Sequence, residues 1–354
     1  MTPIQWSYVR LAFGTVMAVL LWLGCPVPVA AQEGNTDLLP TIHGTIRGKY
    51  EYQPQDKAGR FEVRNARVSV AGKVGPVMSY KAEIDLSDEG KIKMLDAFAA
   101  VKPWKTLQFT LGQMRVPFTI DAHRSPHAQY FANRSFMVKQ VGNVRDVGFT
   151  AGYTFQVGFP IIVEGGLFNG SGLTNQKDFW SDRLNFSVKG SAFFPGGFNL
   201  TLSAMQSRPA EVALMHWNAG AYYHGKGWHV EAEYLLKHYE DHAFKDVHSF
   251  NSFVCYDIPL RKAFFSKISP LVRYDFMTDH SDGKFYEDSS RPGTKSLVIN
   301  DYRRHRITGG VTLSTYLPFT ADIRINYEKY FYGDNAVVLP SEKDKIVVEL
   351  MTRF

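Results

Sequence analysis

Cysteine is nearly absent: Cys25 and Cys255 are the only two in 354 residues. Cys25 falls in a segment read below as an export leader. The rest of the chain then has one thiol, which excludes a disulfide framework and a cysteine-based metal site. Long apolar runs are absent too. Beyond residue 31 no stretch approaches the ~20 apolar residues that a membrane-spanning helix needs, so a helical membrane protein is excluded. Catalytic signatures are equally scarce. No G-x-S-x-G elbow is present, because Gly170-Ser171-Gly172 is preceded by Asn169 and followed by Leu173. Gly165-Gly166 and the same Gly170–Gly172 string lack the strand-to-helix setting of a phosphate-cradling loop. His123 with His127, and His238 with His242, have i, i+4 spacing but no H-E-x-x-H context. The expectation is therefore no catalytic site, no metal and no cofactor.

At the start of the chain, Arg10 is the only charged side chain before the apolar run Leu11–Leu23. That run is too short and too early for a spanning helix and fits the core of a signal peptide. Val29-Ala30-Ala31 supplies small residues for cleavage after Ala31. A lipoprotein signal at Leu23-Gly24-Cys25 is the rival, although Trp22 stands where that signal has a leucine. The division expected is a leader at 1–31, a short periplasmic segment at 32–40, and one domain from 41 to 354. The net charge of +6 is compatible with nucleic acid, acidic surfaces or anionic solutes. Export makes nucleic acid the last of these.

Hydrophobicity recurs at period two. At the C-terminus Ile346, Val348, Leu350, Thr352 and Phe354 share one face, opposite Lys345, Val347, Glu349, Met351 and Arg353. The same alternation marks 78–86, 183–189, 228–237 and 321–328. A charge pointing into lipid costs roughly 2–4 kcal/mol at mid-membrane, so a membrane barrel must confine charge to one register. These segments do so. Aromatic residues near strand ends (Tyr50, Tyr52, Tyr316, Phe319, Tyr330, Phe331) suit interfacial girdles. Phe354, closing an apolar stripe, resembles the signal read by the machinery that assembles outer-membrane barrels.

Sixteen strands are expected, near 41–52, 60–72, 77–86, 92–102, 106–115, 146–156, 161–169, 182–193, 197–206, 215–224, 228–238, 248–257, 268–277, 303–315, 320–330 and 345–354. A merged or missed hairpin would give 14 or 18. Connections alternate almost without fault, with 258–267 the one longer member of the short series. Short ones, such as Gly158-Phe159-Pro160, Phe194-Pro195-Gly196 and Gly225-Lys226-Gly227, take turns with long ones at 116–145, 170–181, 239–247, 278–302 and 331–344. A soluble sandwich has no reason for that parity, whereas a transmembrane antiparallel β-barrel has tight turns at its periplasmic rim and long loops outside.

The loop at 116–145, about 30 residues, is too long to be a mere connection. It carries Asp121, His123, Arg124, His127, Arg134 and Lys139, and it is flanked by Arg115 and Arg145. Folded into the lumen, its cations would line a constriction and favour anions; laid over the mouth, they would be solvated. Further candidates in the polar register are Arg64, Arg67, Lys81, Arg183, Arg273 and Arg324, and Arg47, Lys49, Lys189, Arg306 and Arg353 share that register. The register around Arg60–Arg67 is ambiguous, which suggests a bulge. Carboxylates share the same faces (Glu83, Asp85, Glu231, Glu233, Glu328, Glu349), so some arginines are expected to stiffen the wall.

Several strings in order along the chain resemble the phosphate-selective porin O and P family. They are Gly112-Gln113-Met114-Arg115-Val116-Pro117-Phe118, Arg145-Asp146-Val147-Gly148, Phe168-Asn169-Gly170-Ser171-Gly172, Arg273-Tyr274-Asp275 and the terminal Phe354. The resemblance spans about 41–354. It implies a sixteen-stranded homotrimeric porin in outer-membrane lipid, with inward-folded loops and a basic pore passing small anionic solutes. Arg115 and Arg145 fall where the family has basic residues at the two ends of the third loop. The family's arginine ladder and loop lysines do not map residue by residue, and the mixed charge leaves phosphate selectivity open. Two rivals stand beside passive diffusion: an outer-membrane enzyme of phospholipase or protease type, and a plugged structural or adhesive barrel.

Overall fold

The alternation read from the sequence becomes sixteen long antiparallel strands in the computed structural model. It describes residues 39–138, 145–173, 176–209, 212–260, 264–287, 293, 295–315, 320–334 and 336–354. The predicted leader and Lys139 lie outside these residues. The strands are β1 (Thr41–Gln53), β2 (Ala58–Val74), β3 (Met78–Asp88), β4 (Lys91–Trp104), β5 (Leu107–Arg115), β6 (Arg145–Gln156), β7 (Pro160–Phe168) and β8 (Asn185–Phe193). They continue as β9 (Phe198–Ser207), β10 (Leu214–Gly225), β11 (Trp228–Tyr239), β12 (Val247–Tyr256), β13 (Lys267–Met277), β14 (Arg304–Thr315), β15 (Thr320–Tyr332) and β16 (Lys345–Arg353). Every expected boundary falls within three residues of the observed one. Ile258–Pro259 briefly prolongs the pairing of β12 with β13, and Phe285–Glu287 with Lys295–Leu297 forms a small hairpin on a long loop.

Each strand pairs with its chain neighbours, and β1 also pairs with β16, from Thr45 opposite Arg353 to Tyr52 opposite Ile346. The sheet is a closed ring without free edges, which is what lipid demands of a spanning sheet. Sidedness is inverted relative to a soluble protein. Arg47, Arg304 and Arg324 are among the most deeply buried side chains, while Phe61, Leu202, Ile346 and Leu350 stand exposed on the outside. Ionic residues therefore face the bore and apolar residues face out.

Two irregularities serve the bore. Opposite β1, Arg47 pairs with Asn65 and the next residue, Gly48, pairs with Val63, so Arg64 is an extra residue. This bulge switches the inward register, and both Arg64 and Arg67 point inside although they are three positions apart. It accounts for the ambiguity seen in the sequence. A second bulge at Leu95, between the partners of Glu83 and Ile84, turns Leu95 and Asp96 inward together. At the seam, the Phe354 ring lies over Gly44, where a Cβ would come within 2.1 Å of ring carbon.

Two expectations need correction. Tyr330 is not an outer girdle residue: it is 7% exposed and lies in the bore against Arg306 and Phe136, because the inward register continues past Glu328 to the strand end. Arg183 is not on a strand. Since β8 starts at Asn185, its side chain projects from the preceding loop and is 54% exposed. Tyr50 and Phe331 do face outward, whereas Tyr316 and Phe319 lie outside the described residues.

Candidate functional site: the bore and its third loop

After β5 the chain turns into the barrel. Val116, Phe118, Thr119, Phe131, Ala132, Ser135 and Phe136 are all buried, and two single turns of 3-10 helix, Asp121–His123 and Pro126–Ala128, fold the segment compactly. Phe118, Phe136 and Met137 pack against inward apolar side chains of the wall, including Met205, Leu235, Tyr239 and Met277. Apolar burial thus draws this loop inside, where a solvated loop would stay out.

Polar contacts then fix its path. Three consecutive carbonyls each accept from a different wall arginine: Ala132 O from Arg47 Nη2 at 2.6 Å, Asn133 O from Arg273 Nη1 at 2.9 Å, and Arg134 O from Arg306 Nη2 at 2.7 Å. On the opposite wall Lys189 Nζ donates to Thr119 O at 2.5 Å, and Ser187 Oγ donates to Pro117 O. The amides of Ile120 and Asp121 donate to the Glu233 carboxylate at 2.5 and 3.3 Å. Charge-assisted bonds of this kind are about twice as strong as neutral ones.

The candidate residues sort into groups. Arg273 is 3% exposed, pairs with Asp275 at 2.8 Å and stacks on Phe131, so it clamps the loop and does not face solute. Arg324 is fully buried between Glu349 at 2.6 Å and Asp322 at 3.0 Å, as a strut of the wall. Arg124 is neutralised by Glu231 at 2.5 Å and Asp121 at 2.8 Å. Lys81 bridges Glu83 and Asp96 at 2.8 and 2.7 Å. Arg115 donates to Ala122 O at 3.0 Å, bracing the root of the loop. Arg183 joins none of these.

The remaining four converge. Arg64, Arg67, Arg134 and Arg145 line one recess of about 370 Å³ near the long-loop rim, with Lys93 beside them and Asp88 its one lining carboxylate. Arg64 is paired with Asp88 at 2.5 Å, Arg67 with Asp85 at 2.8 Å, and Arg145 with Asp96 at 3.0 Å. Arg134 differs from them. Its guanidinium donates to the carbonyls of Asp121 and Arg124 at 2.9 and 3.0 Å, with no carboxylate at ion-pair distance among the described residues. It also lines an adjoining recess of about 320 Å³, so its uncompensated charge stands where the two spaces meet. Toward the short-turn rim lie two further cavities of about 310 and 290 Å³, separated by a Tyr130 OH to His229 Nδ1 hydrogen bond of 3.0 Å.

Sequence reasoning placed Arg306 in the polar register of the wall without showing that it clamps the loop; it did not single out Asn133 or Tyr130, whose role depends on where the loop docks. The strings behind the family resemblance acquire a structural reason. The Asp146 carboxylate accepts from the amides of Gly170 at 2.6 Å and Gly172 at 3.1 Å, tying the start of β6 to the turn after β7. Gly170 and Gly172 have positive φ there, which glycine adopts without penalty.

A closed sixteen-stranded ring, apolar outside and ionic inside, with a loop folded through its bore, defines an outer-membrane porin. The sequence model of the family described as phosphate-selective porin O and P matches residues 43–247. The chain belongs to that family. No curated protein sequence matches it. Among solved structures, the anion-selective porin from Comamonas acidovorans superposes with a TM-score of 0.58 at 11% identity, covering 89% of this chain and 99% of that one. The outer-membrane channel DcaP of Acinetobacter baumannii gives 0.58 at 11% identity over 92% and 100%. OmpT of Vibrio cholerae in its trimer form gives 0.58 at 12% over 89% and 98%. These likenesses establish the fold.

Proposed function

We propose that this porin conducts small hydrophilic anions by passive diffusion, with the third loop and the facing wall as its constriction. The observation that carries the reading is Arg134, which stands in this recess with no neutralising partner among the described residues while Arg64, Arg67, Arg145 and Lys93 around it are each paired with a carboxylate. One uncompensated guanidinium at a constriction attracts anions and repels cations. Phosphate is one candidate solute, since guanidinium forks suit its geometry; carboxylates satisfy the same forks. The long-loop rim is the external one, and the mature chain begins at Gln32 after removal of the leader. We assign a homotrimer in outer-membrane lipid, by analogy with the trimeric OmpT, and assembly guided by the terminal Phe354.

Planar-bilayer recording tests this. The expected result is stepwise conductance with a reversal potential biased toward anions in a salt gradient; a cation bias overturns the charge reading. One observation favours a second reading: Phe118, Phe136 and Met137 pack as an apolar cluster inside the bore, as the plug of a structural or adhesive barrel would. That barrel would insert without conducting. An outer-membrane enzyme would instead hydrolyse phospholipid or peptide in the same preparation.

A further inference from the structure

Inward positions of a water-filled bore call for polar side chains, yet a ring of aromatics occupies them near the short-turn rim. Phe253 sits between Glu231 and Arg273 in the sheet, and Tyr222 stands opposite Glu231. All of these face the lumen, and Phe193 joins them from β8. Tyr130 leans in from the loop, its ring 4.7 Å from that of Phe253. Together they line a cavity of about 310 Å³, at the small end of the usual range for ligand sites. Phe193 and Tyr222 belong to neither apolar cluster that packs the loop, so loop docking does not account for them.

Two cations reach this space, and they are not equivalent. The Arg124 guanidinium is spent on Glu231 and Asp121 and lies 5.0 Å over the Tyr130 ring, a neutralised wall element. Lys189 touches Thr119 O and has no carboxylate within 4.0 Å among the described residues. An ammonium with no direct ion pair, although Glu164 is its cross-strand neighbour, stands beside several rings and suits a ligand with a single negative charge and a flat π face. A multiply charged oxyanion would want several converging donors.

We propose that this cavity is a subsite for aromatic monocarboxylates, the ring held among Tyr130, Tyr222, Phe193 and Phe253 and the carboxylate directed to Lys189. The assignment rests on the channel reading above and names a solute class for its inner vestibule. Anions gathered by the basic recess would meet this selective surface next. Aromatic contacts of the favoured offset or edge-on kind distinguish an aryl ring from a saturated one of similar size.

The test is block of chloride current by benzoate and by cyclohexanecarboxylate, which match in charge and nearly in bulk. Benzoate should half-block at a concentration about fivefold lower, the discrimination expected of one good ring contact. Tyr222→Leu should bring the ratio of the two half-blocking concentrations to about one, and Lys189→Gln should raise both concentrations. Saturation-transfer NMR of benzoate on detergent-purified protein reads the site without current, with Tyr222→Leu as its control. Conductance with a wild-type ratio near one, or stronger block by glucose than by benzoate, overturns the subsite. Absence of conductance with intact, Tyr222-dependent benzoate transfer overturns the channel reading and leaves the subsite standing. Absence of transfer overturns the subsite whether or not the protein conducts.

Discussion

Arg124 and Arg134 are ten positions apart on one loop, and the difference between them is their partners. Arg124 meets two carboxylates, so its contribution to the field in the bore is largely cancelled. Arg134 meets carbonyl oxygens, which orient it without cancelling its charge. Arg134→Ala should therefore reduce the anion bias of the reversal potential, while Arg124→Ala should leave that bias nearly unchanged or raise cation entry through the freed Glu231. Equal losses of bias from the two variants would show that pairing does not decide selectivity here. Gly44 poses a different residue-level question. A methyl there meets the far edge of the exposed Phe354 ring, which must swing away from its seat on β1. Gly44→Ala should lower the temperature at which the folded band is lost in gel-shift assays, and pairing it with Phe354→Leu should restore much of the loss.

Among the elements, the third loop has two kinds of anchor, apolar packing and wall arginines holding successive carbonyls. Removing residues 120–137 should at least double single-channel conductance and shrink the anion bias, as read in bilayers. Its histidines make it sensitive to acid. Burial pushes His123 down to about 3 and His127 down to about 4, below the ordinary 6.5. The released loop would bind protons that the docked loop refuses, so docking is fully supported above about pH 6.5 and weakens as pH falls toward 3–4. Open-channel noise should rise over that window, and His123→Gln should flatten the rise. Much at this scale was legible from the sequence alone, because a period-two pattern with charge confined to one face reflects the lipid directly. The Arg64 bulge was visible only as conflict, since two adjacent registers each placed some arginines inside. Tyr330 was misassigned because aromatics at strand ends serve girdle and lumen alike. Which arginines clamp the loop was not legible, because Arg47, Arg273 and Arg306 read the same as ladder residues until the carbonyls they hold are located.

For the whole molecule, closure of the ring is the condition for everything inside it. Without β16, both β1 and β15 would present unpaired amides and carbonyls to lipid, at several kcal/mol for each unsatisfied group. A chain lacking 345–354 should fail to give a heat-modifiable folded form in detergent or vesicles; recovery of that form would mean the remaining strands close among themselves. The seam also carries ionic contacts across the bore side, with Arg47 on Glu349 at 2.6 Å and Lys345 on Glu51 at 3.0 Å.

Arg47 and Glu349 are separated by 302 positions in the chain. The contact that zips the wall shut is thus one of the most distant in sequence, and the entropy of bringing such ends together must be met before any of it is repaid. The hairpins can form early and locally, but the last handshake waits for the final strand. A slip of one residue at that handshake would turn Glu349 toward hydrocarbon and leave Arg47 without its carboxylate in the bore. The charged pairs at the joint therefore act as a proofreading key, admitting the terminal strand in one alignment and rejecting its neighbours.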